Sequence, residues 1–198
     1  RKRNIVIVLH GGFDSLKEEL YPIADLFRNK RFEVLFFEGP GQGEALKIYG
    51  LPMTYMWEKP VSEILDHFDL DNVTLIGLSM GGYLAPRAAA FEKRIKRVVA
   101  WGPFFGVPEV FSYRTEKGAF ILNTMISIKA APVVNALVKV RMERDFFVNW
   151  SVNQWMHVLG VDSPYAFFKV SKNYTLKEIS HLITQDFLLI AGKEDHFI

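Results

Sequence analysis

Val73-Thr74-Leu75-Ile76-Gly77-Leu78-Ser79-Met80-Gly81-Gly82 is the stretch that decides the fold of this chain. An apolar, β-branched run enters Gly-x-Ser-x-Gly, and a helical-looking stretch from Tyr83 to Phe91 leaves it. That order is a strand, a sharp turn carrying a serine, and a helix. Such a turn lifts the serine Oγ clear of the sheet and aims backbone N–H groups at whatever the serine attacks. The flanking glycines have a steric reason. The turn holds its serine in strained backbone, and side chains two residues either side would collide at the strand-to-helix crossing. Alone, the short pattern recurs by chance. The strand before it and the helix after it are what give it weight.

Outward from the elbow, the rhythm is strand and helix in alternation. Asn4 to Leu9 is a continuous apolar run, the mark of a strand buried on both faces. His10-Gly11-Gly12-Phe13-Asp14 follows it. Ser15 to Glu18 has the capping-box pattern, and Leu16, Leu20, Ile23, Ala24 and Phe27 give a helical stripe. Phe32 to Phe37 is a second strand. It ends in Glu38-Gly39-Pro40-Gly41-Gln42-Gly43, which reads as irregular loop. Val61, Ile64, Leu65 and Phe68 mark another helix before the third strand, Val73 to Ile76. The helix after the elbow runs from about Gly82 to Glu92, and its Ala88, Ala89 and Ala90 allow close packing on a sheet. Val98 to Trp101 is a fourth strand and Phe187 to Ala191 a fifth. Residues 104–180 break the rhythm and read as mostly helical.

This alternation predicts an α/β fold: a doubly wound, mostly parallel sheet with helices on both faces. The expected division is a core of residues 1–103 and 181–198, with a helical cap, 104–180, inserted between the fourth and fifth strands. Doubly wound sheets place ligands where the strand order reverses. In an order 2-1-3-4-5, strands one and three are neighbours at that point. Their carboxyl ends carry His10-Gly11-Gly12-Phe13 and Gly77-Leu78-Ser79-Met80, so the two most unusual loops face each other.

The totals bound the function. With 198 residues, 49% of them hydrophobic, one domain with an insertion is the natural reading. The 24 basic and 22 acidic residues leave a net charge of +2, which points to no nucleic-acid partner. The basic clusters at Arg1–Arg3 and Lys93–Arg97 read as solvated entrances to strands. The absence of cysteine excludes a disulfide framework, a thiolate metal site and a cysteine nucleophile, and fits a cytoplasmic location. Ile5 to Leu9 is too short for a signal peptide, and Ala119 to Val140 is too interrupted for a bilayer span. No His/Asp/Glu cluster has metal-ligand spacing, no phosphate loop or dinucleotide fingerprint is present, and no cofactor is expected. The expected partner is a small-molecule substrate, with no membrane; a homodimer stays open.

A serine alcohol needs a base, and the oxyanion it creates needs fixed donors. Met80 N–H, just after the nucleophile, is one candidate donor. The second should come from the loop after the first strand. Phe13 N–H is favoured, with Gly12 as the near alternative. Asp195, just past the last strand, is the candidate acid that holds the base. The expected order is serine, acid, histidine. After Asp195 only His196 remains, and adjacent residues rarely orient so that one supports the other at a distant serine. His10, His67, His157 and His181 read as ordinary polar or structural histidines. The base is therefore expected beyond Ile198.

Leu9 to Asp14, Glu38 to Gly43, Gly77 to Gly81 and Ala191 to Asp195 together resemble the α/β-hydrolases. Within that superfamily, Gly-Gly-Phe-Asp-Ser, Glu-Gly-Pro-Gly-Gln-Gly and Glu-Asp-His-Phe-Ile are similar to one branch. It holds 2,6-dihydropseudooxynicotine hydrolase, fungal polyketide-shortening hydrolases and acylaminoacyl-peptidase-like proteins. The resemblance implies Ser79 as nucleophile, Asp195 as acid, Met80 with Phe13 or Gly12 as oxyanion donors, and a helical cap. It also implies family strands before this chain's first residue, and a histidine after its last. The activity implied is that of a serine hydrolase acting on an ester, amide or related acyl bond of a small, apolar substrate. C–C bond hydrolysis, acyl transfer, and a binding or sensing protein that keeps the fold without the base are the alternatives. Phe104, Phe105, Phe111, Trp150, Trp155, Phe167 and Phe168 fit an apolar substrate, and equally fit packing within the cap.

Overall fold

The structure, a computed structural model, describes residues 5–28, 30, 32–114 and 116–194. Five strands form one sheet in the order β2-β1-β3-β4-β5, with every pairing parallel. They are β1 (Val6–His10), β2 (Glu33–Phe37), β3 (Val73–Leu78), β4 (Ile95–Trp101) and β5 (Asp186–Ile190). The doubly wound reading and its strand order hold. β1 is buried along its whole length, as its uninterrupted apolar run requires. Asn4, expected to open that strand, lies outside the described residues.

Two helical layers enclose the sheet. A 3₁₀ turn at Lys17–Leu20 leads into α1 (Tyr21–Arg28). Leu20, Ile23 and Phe27 from this segment pack with Ile7, Leu9 and Ile76 of the sheet, joined by Val34 and Phe36. Side chains alternate along a strand, so Leu75 and Gly77 turn to the opposite face. There α3 (Glu58–His67) packs on α4 (Gly81–Phe91), and α4 packs on β3 and β4. Tyr83, Leu84, Ala85, Ala88 and Ala89 of α4 are fully buried. The run of alanines brings the helix axis close to the strands, as their size predicts.

Two local expectations are corrected. The capping box at Ser15 does not form, because the Ser15 hydroxyl accepts a bond from Gly12 N–H at 3.0 Å instead of capping the helix. Leu16 takes the N-cap position and contributes no side-chain bond there. The Glu38–Gly43 loop is also shorter than expected, because Gly43 already opens α2 (Gly43–Lys47). The basic run after α4 is tied into the fold. Arg94 pairs with Glu92 and Asp66, and Arg97 bonds Thr74 and the Asn72 carbonyl.

The chain divides into two compact units, Arg1–Phe105 with Leu176–Ile198, and Gly106–Thr175. The second unit is helical: α5 (Val107–Arg114), α6 (Glu116–Ser127), α7 (Ala131–Arg144), α8 (Phe146–Leu159) and α9 (Pro164–Ser171). Its two ends are stitched by an antiparallel bridge between Gly106 and Thr175 and by Val107 N–H donating to Tyr174 C=O at 2.8 Å. Asp145 caps α8 by accepting from Phe147 and Val148 N–H, and Gly160 ends it in the left-handed region at φ 62°. Ser163 caps α9 in the same way, with Pro164 at its first position. Phe167 is fully buried in this unit, stacked on Trp155 and against Phe168. Among the described residues, no helix is long and apolar enough to cross a membrane.

Candidate active site

β3 delivers Ser79 to the carboxyl edge of the sheet. Its φ is +56°, in the left-handed region that an L-residue with a side chain rarely adopts. Two hydrogen bonds hold it there. Ser79 N–H donates to Trp101 C=O at 2.8 Å, and Ser79 C=O accepts from Gly82 N–H at 2.7 Å. The serine is exposed while the following Met80 is 2% exposed, so the turn presents a hydroxyl and buries the side chain after it. Met80 is the N-cap residue of α4, and its carbonyl accepts from Tyr83 and Leu84. Its own N–H stands at the positive end of that helix.

The crossing leaves no room at Gly77. A Cβ there would lie 2.0 Å from the Gly81 carbonyl oxygen, which is backbone and cannot swing aside. The second tight approach joins the two loops. A Cβ on Gly12 would lie 2.6 Å from Met80 N and 3.0 Å from Ser79 Cβ. The loop after β1 thus stands directly against the elbow, where the strand order reverses. Ser79, Met80 and Gly12 come together, and Phe13 is the next residue of the same loop. Gly12 N–H is engaged by Ser15 Oγ.

His10 closes the site from below. It is 0% exposed, its ring lies 5.2 Å from that of Phe37 and 5.3 Å from that of Trp57, and its Nδ1–H donates to Gly11 C=O at 2.9 Å. Burial pushes its pKa down to about 4, against a smaller opposing effect of the Gly11 bond. His10 is therefore a neutral structural ring at neutral pH, in keeping with its expected role. His67 ends α3 with its ring against Phe68, and His181 lies in the 3₁₀ turn Ser180–Leu182. Among the described residues no group hydrogen-bonds the Ser79 hydroxyl.

Asp195, the expected acid, and His196 lie outside the described residues. The sheet register does place the end of β5 level with the elbow. Leu78 pairs with Trp101, Trp101 pairs with Ile190, and Gly102 N–H donates to Ile190 C=O at 2.8 Å.

Three residues that sequence reasoning missed organise this edge. Ser15 holds Gly12. Gln42, 2% exposed, donates from Nε2 to both Gly11 C=O and Gly12 C=O at 2.8 Å, while its Oε1 accepts from Gly39 N–H at 2.9 Å. Glu38 accepts from Lys17 N–H and Glu44 N–H, each at 2.8 Å, and lies 3.5 Å from the Lys17 ammonium. Burial alone would raise the Glu38 pKa. The two N–H bonds and the Lys17 charge outweigh it and hold the carboxyl below the usual glutamate range. The available signals were the resemblance of Glu38 to Gly43 to a family motif and its composition, since Glu38 and Gln42 are the only long polar side chains in a Gly- and Pro-rich loop. Among the described residues, no three His, Asp or Glu side chains are grouped to hold a metal ion.

Comparison with known proteins meets this geometry. The hydrolase phmG of Phaeosphaeria nodorum is 35% identical over 182 residues, covering 87% of this chain and 41% of its own length. The hydrolase ffsE of Aspergillus flavipes is 30% identical over 210 residues, covering 97% of this chain and 46% of its own. The chain thus spans less than half the length of these curated relatives. Among solved structures, the 2,6-dihydroxy-pseudo-oxynicotine hydrolase matches with a TM-score of 0.72 at 20% identity, over 98% of this chain and 47% of that one. AbyA5 matches at 0.68 and 21% identity, over all of this chain and 50% of its own. These two likenesses concern the fold. A family model for the alpha/beta hydrolase fold matches residues 4–198. Because that match takes in every strand from β1 to β5, the chain belongs to the α/β-hydrolase family.

Proposed function

We propose that the protein is a serine hydrolase that cleaves an ester, amide or related acyl bond through an acyl-enzyme formed on Ser79. The observation that carries this reading is the exposed serine held at φ +56° directly before Met80, whose N–H stands at the start of a helix. A base removes the hydroxyl proton as Oγ bonds to the acyl carbon. The carbonyl π electrons move to oxygen, and Met80 N–H with Phe13 N–H stabilise that oxyanion. Phe13 is the favoured second donor, and Gly12, whose N–H donates to Ser15 Oγ, is the near alternative. The proton passes from the base to the leaving group as its bond to the acyl carbon breaks. Water then repeats the sequence and frees Ser79. In this reading the base is a histidine outside the described residues, oriented by Asp195.

The test is a screen of ester, amide and β-diketone substrates with the intact protein and its Ser79→Ala variant, together with fluorophosphonate labelling. Turnover should fall by roughly 10⁴-fold or more in Ser79→Ala, and the label should map to Ser79. Turnover that survives the substitution, or labelling elsewhere, refutes the reading. Product analysis with and without an added alcohol or amine separates hydrolysis from acyl transfer, and cleavage of the diketone reveals C–C hydrolysis.

A further inference from the structure

Gln42 belongs to the loop after β2, yet every polar contact of its side chain is to the backbone of the two loops at the sheet's carboxyl edge. Its side chain is 2% exposed. Both Nε2 hydrogens are spent on the oxyanion-side loop, at Gly11 C=O and Gly12 C=O, each 2.8 Å away. Its Oε1 takes Gly39 N–H at 2.9 Å, which anchors the carboxamide to its own loop. Only a primary amide offers two donors and an acceptor in this arrangement. Glutamate would set a charge against two carbonyl oxygens. Methionine would strip Gly12 C=O and Gly39 N–H of this partner in a buried site, while Gly11 C=O would keep only the His10 bond.

The consequence follows from peptide geometry. The peptide unit is planar and trans, so its C=O and N–H point in opposite directions. Gly12 C=O and Phe13 N–H share one such plane. The bond from Gln42 to Gly12 C=O therefore fixes the direction of Phe13 N–H. The bond to Gly11 C=O does the same for Gly12 N–H, which is directed to Ser15 Oγ. Gly11 C=O also accepts from His10 Nδ1–H at 2.9 Å, so the first plane is held by two donors and the second by Gln42. Glycine backbone has no side chain to restrict it. Without Gln42 the Gly12–Phe13 plane would be free to rotate, a few ångströms from the elbow that Gly12 abuts.

We infer that Gln42 is a positioning residue for the oxyanion-binding loop, aiming Phe13 N–H at the developing oxyanion without touching substrate. This rests on the serine-hydrolase reading above. Its effect should appear in the transition state and not in substrate binding.

The experiment uses the intact protein, p-nitrophenyl butyrate as substrate and 2,2,2-trifluoroacetophenone as a tetrahedral-adduct probe. In Gln42→Met, kcat should fall roughly 10- to 100-fold, a positioning loss at or below that of deleting an oxyanion donor. KM should stay within about threefold, and the ketone's inhibition constant should rise by the same factor as kcat/KM falls. A second variant, Gln42→Glu, regains one donor when its carboxyl is protonated, so its rate relative to wild type should climb as pH is lowered. Should Gln42→Met not fold, that pH-dependent ratio decides. An unchanged kcat, a loss carried by KM, or a pH-independent ratio in Gln42→Glu overturns the inference while the serine-hydrolase reading stands. Wild-type turnover that does not depend on Ser79 overturns both.

Discussion

Two glycines at the elbow look alike in sequence and should fail differently. Gly12→Ala places a methyl 2.6 Å from Met80 N, in the space before a proposed oxyanion donor, in the buried loop after β1. It should cut kcat by about 10²-fold, on the scale of losing one donor, with the smaller loss of stability of the two, because the loop after β1 can shift away from the elbow more readily than a strand can part from a helix. Gly77→Ala places its methyl 2.0 Å from Gly81 C=O, between β3 and α4. That clash can be relieved only by parting a strand from a helix, so stability should fall by about 3 kcal/mol. Urea denaturation beside steady-state kinetics distinguishes the two outcomes. Equal effects of both substitutions on stability would contradict the geometry. The elbow was legible from sequence because its constraints are local: a strained serine, and glycines two residues away on either side. Gln42 was not, since its acceptors lie 30 and 31 residues earlier in the chain and only the β1–β2 pairing brings them near. Ser15 was misread for a related reason. Its capping pattern was real, but Gly12 N–H, three residues back, outcompeted the helix for its one hydroxyl.

Helices differ in how they are held, and their tolerance to change should differ accordingly. α4 is wedged on β3 and β4 with Ala88 at 0% exposure. Ala88→Leu should cost about 1–3 kcal/mol through overpacking, where an unpacked helix would gain from leucine or stay neutral. α8 depends on its start. Asp145 accepts from Phe147 and Val148 N–H at 3.0 and 3.2 Å. Asp145→Ala should cost about 1 kcal/mol, and Asp145→Asn much less, since the amide oxygen still accepts. Thermal melts of the two Asp145 variants check this, and equal losses would assign the effect to charge instead of capping. α4 was readable to within a residue because its buried face is a run of small apolar side chains after an unmistakable turn. The helices of the second unit were readable only as a helical region. In α7, Val134 is buried while Val133, Leu137 and Val140 are about half exposed, so its apolar residues do not trace the packed face.

At the scale of the molecule, the doubly wound parallel sheet was legible from alternation, because buried parallel strands announce themselves as unbroken apolar runs, and right-handed crossovers left the order 2-1-3-4-5 among the few topologies allowed. The electrostatic state of the core did not, because burial of a histidine is a property of the assembled sheet. That state gives the fold a pH dependence whose sign can be worked out. His10 has a folded pKa of about 4 against an ordinary value of 6.5. Between those values the unfolded chain binds a proton that the folded one refuses, so stability is full above pH 6.5 and falls as pH drops toward 4. The shift corresponds to about 3 kcal/mol. Glu38 acts lower. Its folded pKa is depressed below 4.5, so its contribution is intact above that value and is lost only as pH falls further. Urea denaturation of the wild type and of His10→Gln at pH 7 and pH 4.5 separates the two groups. The wild type should lose most of the His10 contribution across that interval. His10→Gln should be less stable at pH 7, since glutamine fills the ring's place between Phe37 and Trp57 poorly, but should change far less with pH. If the two proteins lose stability in parallel, the titration in that interval belongs to another group and His10 is not held neutral by the fold.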